Sequence, residues 1–139
     1  KILESPGSDV YFVNCGPMRT SVWKHGERWH PGLIKFTQNI LDRLNIDIDL
    51  QHLKHTKLAC GFCNYWVGSP GFWDQYMNFT RPIYDYIRNN LSYSEVMFLR
   101  QRACRGISSD YFPFIMERLF TTLLATDSSI SYTNIPKIK

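Results

Sequence analysis

The chain has 139 residues, of which 44% are hydrophobic and 15% aromatic, and a formal charge of +4 at pH 7. That content of apolar and ring side chains excludes a disordered tail, and the length suits one domain that buries about two-thirds of its unfolded surface. No apolar run approaches the roughly 20 residues of a membrane span, and the dispersed basic residues exclude a duplex-binding stripe, although the charge suits a small anion such as a nucleotide phosphate.

Val10, Tyr11, Phe12 and Val13 are apolar without a break, so residues 9–14 predict a short buried strand. Beginning at Lys1 and opening almost directly into this strand, the chain reads as the downstream part of a longer protein. A polar loop is expected over residues 15–30, with Gly16, Pro17 and Gly26 as breakers. Pro31 fits the first position of a helix. Leu33, Phe36, Ile40, Leu41 and Leu44 then recur at helical spacing, which predicts an amphipathic helix over residues 31–45. A polar connection over residues 46–57 carries a short extended piece at 46–50. Residues 58–67 predict a second strand, weakened at Gly61, where a ligand or another backbone can approach closely.

Ser69 and Pro70 supply a cap and a first helical position after Gly68. The helix they open carries Phe72, Trp73, Tyr76 and Phe79, with Phe72 and Trp73 read as core. Pro82 is expected to kink or split it, with Thr80 capping a second piece that runs to Asn90. Ser92 and Glu95 have the spacing of a capping box for a short helix over residues 93–103. After a loop over residues 106–109, Phe112, Ile115, Met116, Leu119, Phe120, Leu123 and Leu124 form the stripe of a last helix over residues 110–125. Residues 128–135 predict a final edge strand. The fold class is α/β, a few-stranded mixed sheet flanked by four or five helices.

Several groups of residues could carry chemistry. His25, Glu27, Arg28 and His30 place two imidazoles, a carboxylate and a guanidinium within six residues. Imidazole serves as acid, base or ligand near neutral pH, whereas the bland alternative is a solvated loop beside a helix start. Asn64 and Trp66, at the carboxyl end of the second strand, share one face by strand alternation and are expected to line one cleft with the loop of His25 and Glu27. An amide with a ring suits a hydroxylated ligand. Glu117 and Arg118 interrupt an apolar helix, so at least one of them must be buried and held by a specific partner.

The metal candidates are weaker. Asp47 and Asp49 could grip a divalent ion, but a three-residue pattern after a helix is common by chance. Cys60 and Cys63 form a lone C-x-x-C with His52 and His55 nearby; in a strand-like run these cysteines read as buried structural thiols, and no metal ligand set is assigned. Together with Cys15 and Cys104 they make a count typical of reduced thiols. The sequons at Asn78 and Asn90 read as chance in the absence of a visible secretory signal, and no P-loop, dinucleotide fingerprint or nucleophile elbow occurs.

Three stretches are similar to the downstream, acceptor-side half of bacterial capsule and polysaccharide-biosynthesis glycosyltransferases with a GT-A-like fold. Cys63-Asn64-Tyr65-Trp66-Val67-Gly68 with Phe72-Trp73 resembles the strand and turn that line their acceptor side. Phe114-Ile115-Met116-Glu117-Arg118-Leu119-Phe120 resembles their late helix with a Glu-Arg pair in an apolar frame, and His25-Gly26-Glu27 with His30-Pro31-Gly32 resembles a loop of the same group. The resemblance spans residues 9–126, so residues 1–139 are either a single domain or a fragment of a larger glycosyltransferase domain.

That resemblance implies transfer of a sugar from a nucleotide sugar to a saccharide acceptor, with Glu27 or Glu117 as the base. It gives His25, His30 and Arg118 contacts to phosphate or sugar, and Asn64 and Trp66 the placing of the acceptor. The fold's Asp-x-Asp, which would hold a divalent metal such as Mn or Mg, ends an early strand, so Asp47-Ile48-Asp49 is in the wrong context. Either that motif lies upstream, outside this chain, or the chain does not bind a nucleotide sugar in the standard way; the nucleotide-binding half is likewise expected upstream, which would leave this chain inactive on its own. The implied location is cytoplasmic, compatible with peripheral association at the inner face of the membrane, and no nucleic-acid partner is implied. Two rivals stand beside this reading. A non-catalytic carbohydrate- or protein-binding module predicts the same aromatics without dependence on the carboxylates. A small zinc-stabilised interaction domain would use Cys60, Cys63, His52 and His55.

Overall fold

The computed structural model describes residues 7–14, 16–57, 59–102 and 109–136. In chain order these give β1 (Val10–Asn14), α1 (Val22–Trp29), α2 (Leu33–Arg43), β2 (Gly61–Gly68), α3 (Pro70–Asn89), α4 (Tyr93–Leu99), α5 (Phe112–Thr126) and β3 (Tyr132–Pro136). The sheet runs β2-β1-β3, with β1 antiparallel to β2 and parallel to β3. The protein is therefore α/β, a three-stranded mixed sheet with five helices among the described residues, as its hydrophobic pattern predicts. No described helix is long and apolar enough to cross a membrane. Cys15, Cys104 and the expected loop over residues 106–108 lie outside the described residues, as does the side chain of Cys63.

Among the described residues, helices cover one side of the sheet. Val10 and Phe12 of β1 are buried under α3 and α5, in a cluster with Phe72, Tyr76, Phe120, Leu123 and Leu124. On the opposite face Tyr65 and Val67 are exposed. A second core lies among α1, α2, α3 and α5 around Trp23, Leu33, Ile40, Leu41, Ile83, Ile115 and Leu119. Apolar residues at helical spacing on both sides of α5 let this helix close both clusters.

Four local outcomes differ from expectation. Residues 22–29 are helix rather than loop: the Ser21 hydroxyl accepts from Lys24 N, and Val22, Trp23 and Gly26 turn inward. In α2 the helix begins at Leu33, after Pro31, with Gly32 as its N-cap. It ends where Asn45 takes a positive φ of 54° and Ile46 N donates back to Leu41 O at 2.9 Å, the Schellman closure of a helix end. Residues 46–50 form no strand, because the Gln38 side chain donates to Ile48 O and accepts from Leu50 N, holding them as a loop against α2. Finally, α3 runs unbroken through Pro82. A proline inside a helix costs about 3 kcal/mol, but each apolar side chain fully buried contributes about 1.5–3 kcal/mol, and Phe72, Tyr76, Ile83 and Ile87 are all buried along α3. Thr80, expected as a cap, instead donates its hydroxyl to Tyr76 O at 2.7 Å within the helix.

The remaining punctuation is as expected. Ser69 caps α3 with Pro70 in its first turn, and Ser92 with Glu95 makes the capping box of α4. Glu95 also accepts from Arg43 at 2.6 Å, and Arg43 donates to the Tyr86 hydroxyl, tying α4 to α2 and α3 at the surface.

Candidate functional site

The site builds outward from α5, which lies against α1, α3 and β2. Arg118 is only 3% exposed. Its Nε donates to Val22 O at 3.0 Å, one terminal nitrogen donates to Phe114 O at 2.6 Å, and the same nitrogen is 3.7 Å from a Glu117 carboxylate oxygen. Burial pushes the guanidinium pKa down, while the negative charges of Glu117 and of the Cys60 thiol, when ionised, act in the opposite direction. Arg118 is thus the buried, partnered member of the Glu-Arg pair, as the position of the pair in an apolar helix requires.

α1 approaches close enough for this only because residue 26 is glycine. A Cβ there would lie 2.5 Å from Arg118 Nε, inside contact distance. One turn along α5, Trp23 Nε1 donates to the Thr122 hydroxyl at 2.8 Å, and that hydroxyl in turn donates to Arg118 O. His30, the C-cap of α1, is buried, stacked on Phe114 with ring centroids 4.0 Å apart and set edge-on to Tyr111 at 5.1 Å. Burial, reinforced by the neighbouring positive charges of Arg118 and His25, pushes its pKa down to about 4. His25, His30, Glu117 and Arg118, chosen from two distant stretches of sequence, are thereby gathered where α1 meets α5.

Glu27 points elsewhere. Its two carboxylate oxygens accept from Gly32 N at 2.6 Å and Ile34 N at 2.9 Å, so it caps α2 from the neighbouring helix. It also lines a groove of about 510 Å³ with Lys35, Gln38, Asn39, Asp49 and Gln51.

The regular alternation expected to place Asn64 and Trp66 on one face is broken. Phe12 pairs with Trp66 and Asn14 with Gly61, so residues 62–65 of β2 stand opposite Val13 alone. Within this bulge Asn64 takes φ +52° and is exposed, and alternation is lost. Trp66 turns to the helix side and stacks on Phe120, with centroids 5.2 Å apart and planes 15° apart. Gly61 faces the same ring, since a Cβ there would lie 2.6 Å from Phe120. Phe120 is about 200° around α5 from Arg118, so the α1 side and the β2 side form two opposite flanks of α5 rather than one cleft. Glu117 stands about 60° from Phe120 and about 100° from Arg118, between the two.

Sequence reasoning missed three participants. Trp73, read as core beside Phe72, is 45% exposed. His55 accepts the α1 amide of Val22 on Nε2 at 3.0 Å while Nδ1 lies 3.0 Å from Thr56 O, which puts the ring proton on Nδ1. Thr122 anchors Trp23. The signal for α1 itself was present, since Ser21 stands ahead of Val22, Trp23 and Gly26 at helical spacing, but glycine and charge read as loop.

Among the described residues no group of three or more His, Cys, Asp or Glu side chains could hold a metal ion. Asp49 is occupied by Gln51 N, His52 N and the His52 ring, and Cys60 is buried beside Met18. Comparison with protein-family models, curated proteins and solved structures found no match to the chain.

Proposed function

We propose that this chain is the acceptor-side part of a glycosyltransferase that moves a sugar from a nucleotide sugar to a saccharide hydroxyl in polysaccharide biosynthesis. The observation that carries the reading is the position of Glu117, mostly covered but with 18% of its side chain exposed at the flank of α5, between the buried Arg118 node and the Trp66 side of the helix. In the reaction the acceptor oxygen bonds to the anomeric carbon, the nucleoside diphosphate leaves, and the Glu117 carboxylate takes the hydroxyl proton. Arg118 and His30, both buried, act as positioning residues that hold α1 and α5 together. His25 contacts phosphate or sugar. Asn64, exposed on its bulge, offers an amide to the acceptor, and Trp66 backs that surface. Glu27 fixes the α1–α2 corner. The reading implies a cytoplasmic protein whose nucleotide-binding half lies upstream.

The test is turnover by the full-length gene product with a panel of nucleotide sugars and saccharide acceptors. Glu117→Gln should lower turnover by about 10²–10⁴ while the circular dichroism spectrum stays unchanged. Unchanged turnover with a lowered melting temperature would make Glu117 structural. Saccharide binding with no turnover from any nucleotide sugar would favour the non-catalytic binding module.

A further inference from the structure

We infer that Trp73 is a saccharide-stacking residue, its indole held out from the β2–α3 corner as a platform for the apolar face of a pyranose ring. The inference rests on the acceptor-side reading and names a contact residue that the reading does not assign.

Ser69 caps α3, and Phe72 in the first turn is 1% exposed, wedged beneath Gly68 and against Trp66. With Phe72 fixed inward, its neighbour must point about 100° away, to the rim of the sheet. Trp73 is accordingly 45% exposed, yet it is not loose. Its ring leans on Trp66 with centroids 4.4 Å apart and 42° between planes, and it meets Tyr76 edge-on at 6.1 Å. Trp66 in turn stacks on the fully buried Phe120. Three rings in series thus tie an exposed indole to the core, so little side-chain freedom is left to lose on binding.

The surroundings choose the ligand. Met77, four residues on and 44% exposed, widens the apolar floor. Asp74 and Asn78, both exposed, lie on the next flank of the helix and offer hydroxyl partners. The axial C–H groups of a pyranose carry partial positive charge and suit the negative face of an indole, while its hydroxyls suit carboxylate and amide rims. An anionic bilayer or a nucleic acid would meet a carboxylate at that rim, and Arg81, further along, is already beside Asp85 at 3.8 Å.

The probes are β-1,4-linked glucose and N-acetylglucosamine hexasaccharides, titrated at millimolar concentration against the full chain while tryptophan fluorescence is followed. Saturable quenching or a blue shift is expected. Trp73→Ala should weaken binding about tenfold or more, and Trp73→Tyr should restore most of it. The melting temperature should fall by only a few degrees, because the ring packs on Trp66 and Tyr76 but is 45% exposed, and Trp73→Tyr should recover most of that fall together with the binding. Absence of saturable binding by the unaltered chain, equal affinity of Trp73→Ala, or preferential binding to phosphatidylglycerol vesicles over saccharide would overturn the inference. Transfer activity with an acceptor KM indifferent to Trp73→Ala would overturn it while leaving the glycosyltransferase reading intact. Binding lost in Trp73→Ala without turnover in any form would do the reverse.

Discussion

At the scale of single residues, the buried polar groups make the clearest claims. His30 has a pKa of about 4 against an ordinary 6.5, so the unfolded chain takes up the proton first as pH falls. Its contribution is complete above pH 6.5 and is lost as pH drops towards 4, by at most about 3 kcal/mol. His30→Phe, which keeps a ring against Phe114, should flatten the urea midpoint across that window; an unchanged slope would mean that other groups set the acid sensitivity. Arg118→Ala should cost about 3 kcal/mol or more, because it opens a cavity and removes the side-chain donor that Val22 O and Phe114 O accept beside their helical amides. A midpoint shift of a few tenths of a kcal/mol would show that water replaces both bonds. Glu27→Ala, which removes the bonds to Gly32 N and Ile34 N, should cost about 1–2 kcal/mol in the same assay, a cap-sized loss rather than a core-sized one.

At the scale of elements, α1 and α3 show local propensity being overruled in opposite ways. α1 is short and contains Gly26, a weak former that nonetheless has to be glycine for α5 to come near. Gly26→Ala raises intrinsic helix propensity, yet it should lower stability by about 1–3 kcal/mol, since Arg118 has to give way. A gain in melting temperature would show that the guanidinium moves without cost. In α3 the penalty of Pro82 is carried by the buried face. Pro82→Ala restores an amide able to reach the carbonyl of Asn78, and stability should rise by about 1–2 kcal/mol after the entropy returned to the unfolded chain is subtracted. Thermal melting of the variant checks this, and no rise would mean that the exposed carbonyl is already satisfied by solvent.

At the scale of the whole molecule, α5 is the organising element. It is apolar through most of its circumference, because it closes the helical core on one side and backs the sheet on the other. This arrangement separates the proposed positioning residues from the proposed acceptor surface by the width of a helix. Changes at Arg118 should therefore act on turnover through the fold, with melting temperature and turnover moving together, whereas changes at Trp73 should move acceptor KM rather than turnover.

The α/β class, the capping box at Ser92 and Glu95, the Ser69-Pro70 helix start and the buried stripe of α5 were legible in the chain itself, because each rests on neighbours within a turn or on a simple period. Burial of one member of the Glu117–Arg118 pair was legible too, from the cost of placing charge in an apolar helix. The β2 bulge that breaks alternation between Asn64 and Trp66, the glycine contact that lets α1 approach α5 and the outward turn of Trp73 were not. Each depends on which backbone arrives opposite: β1 against the strand, α5 against Gly26, the Phe120 ring behind Trp66. Side-chain period is a property of the segment, but register, close approach and the direction of the next free ring are settled only when two segments meet.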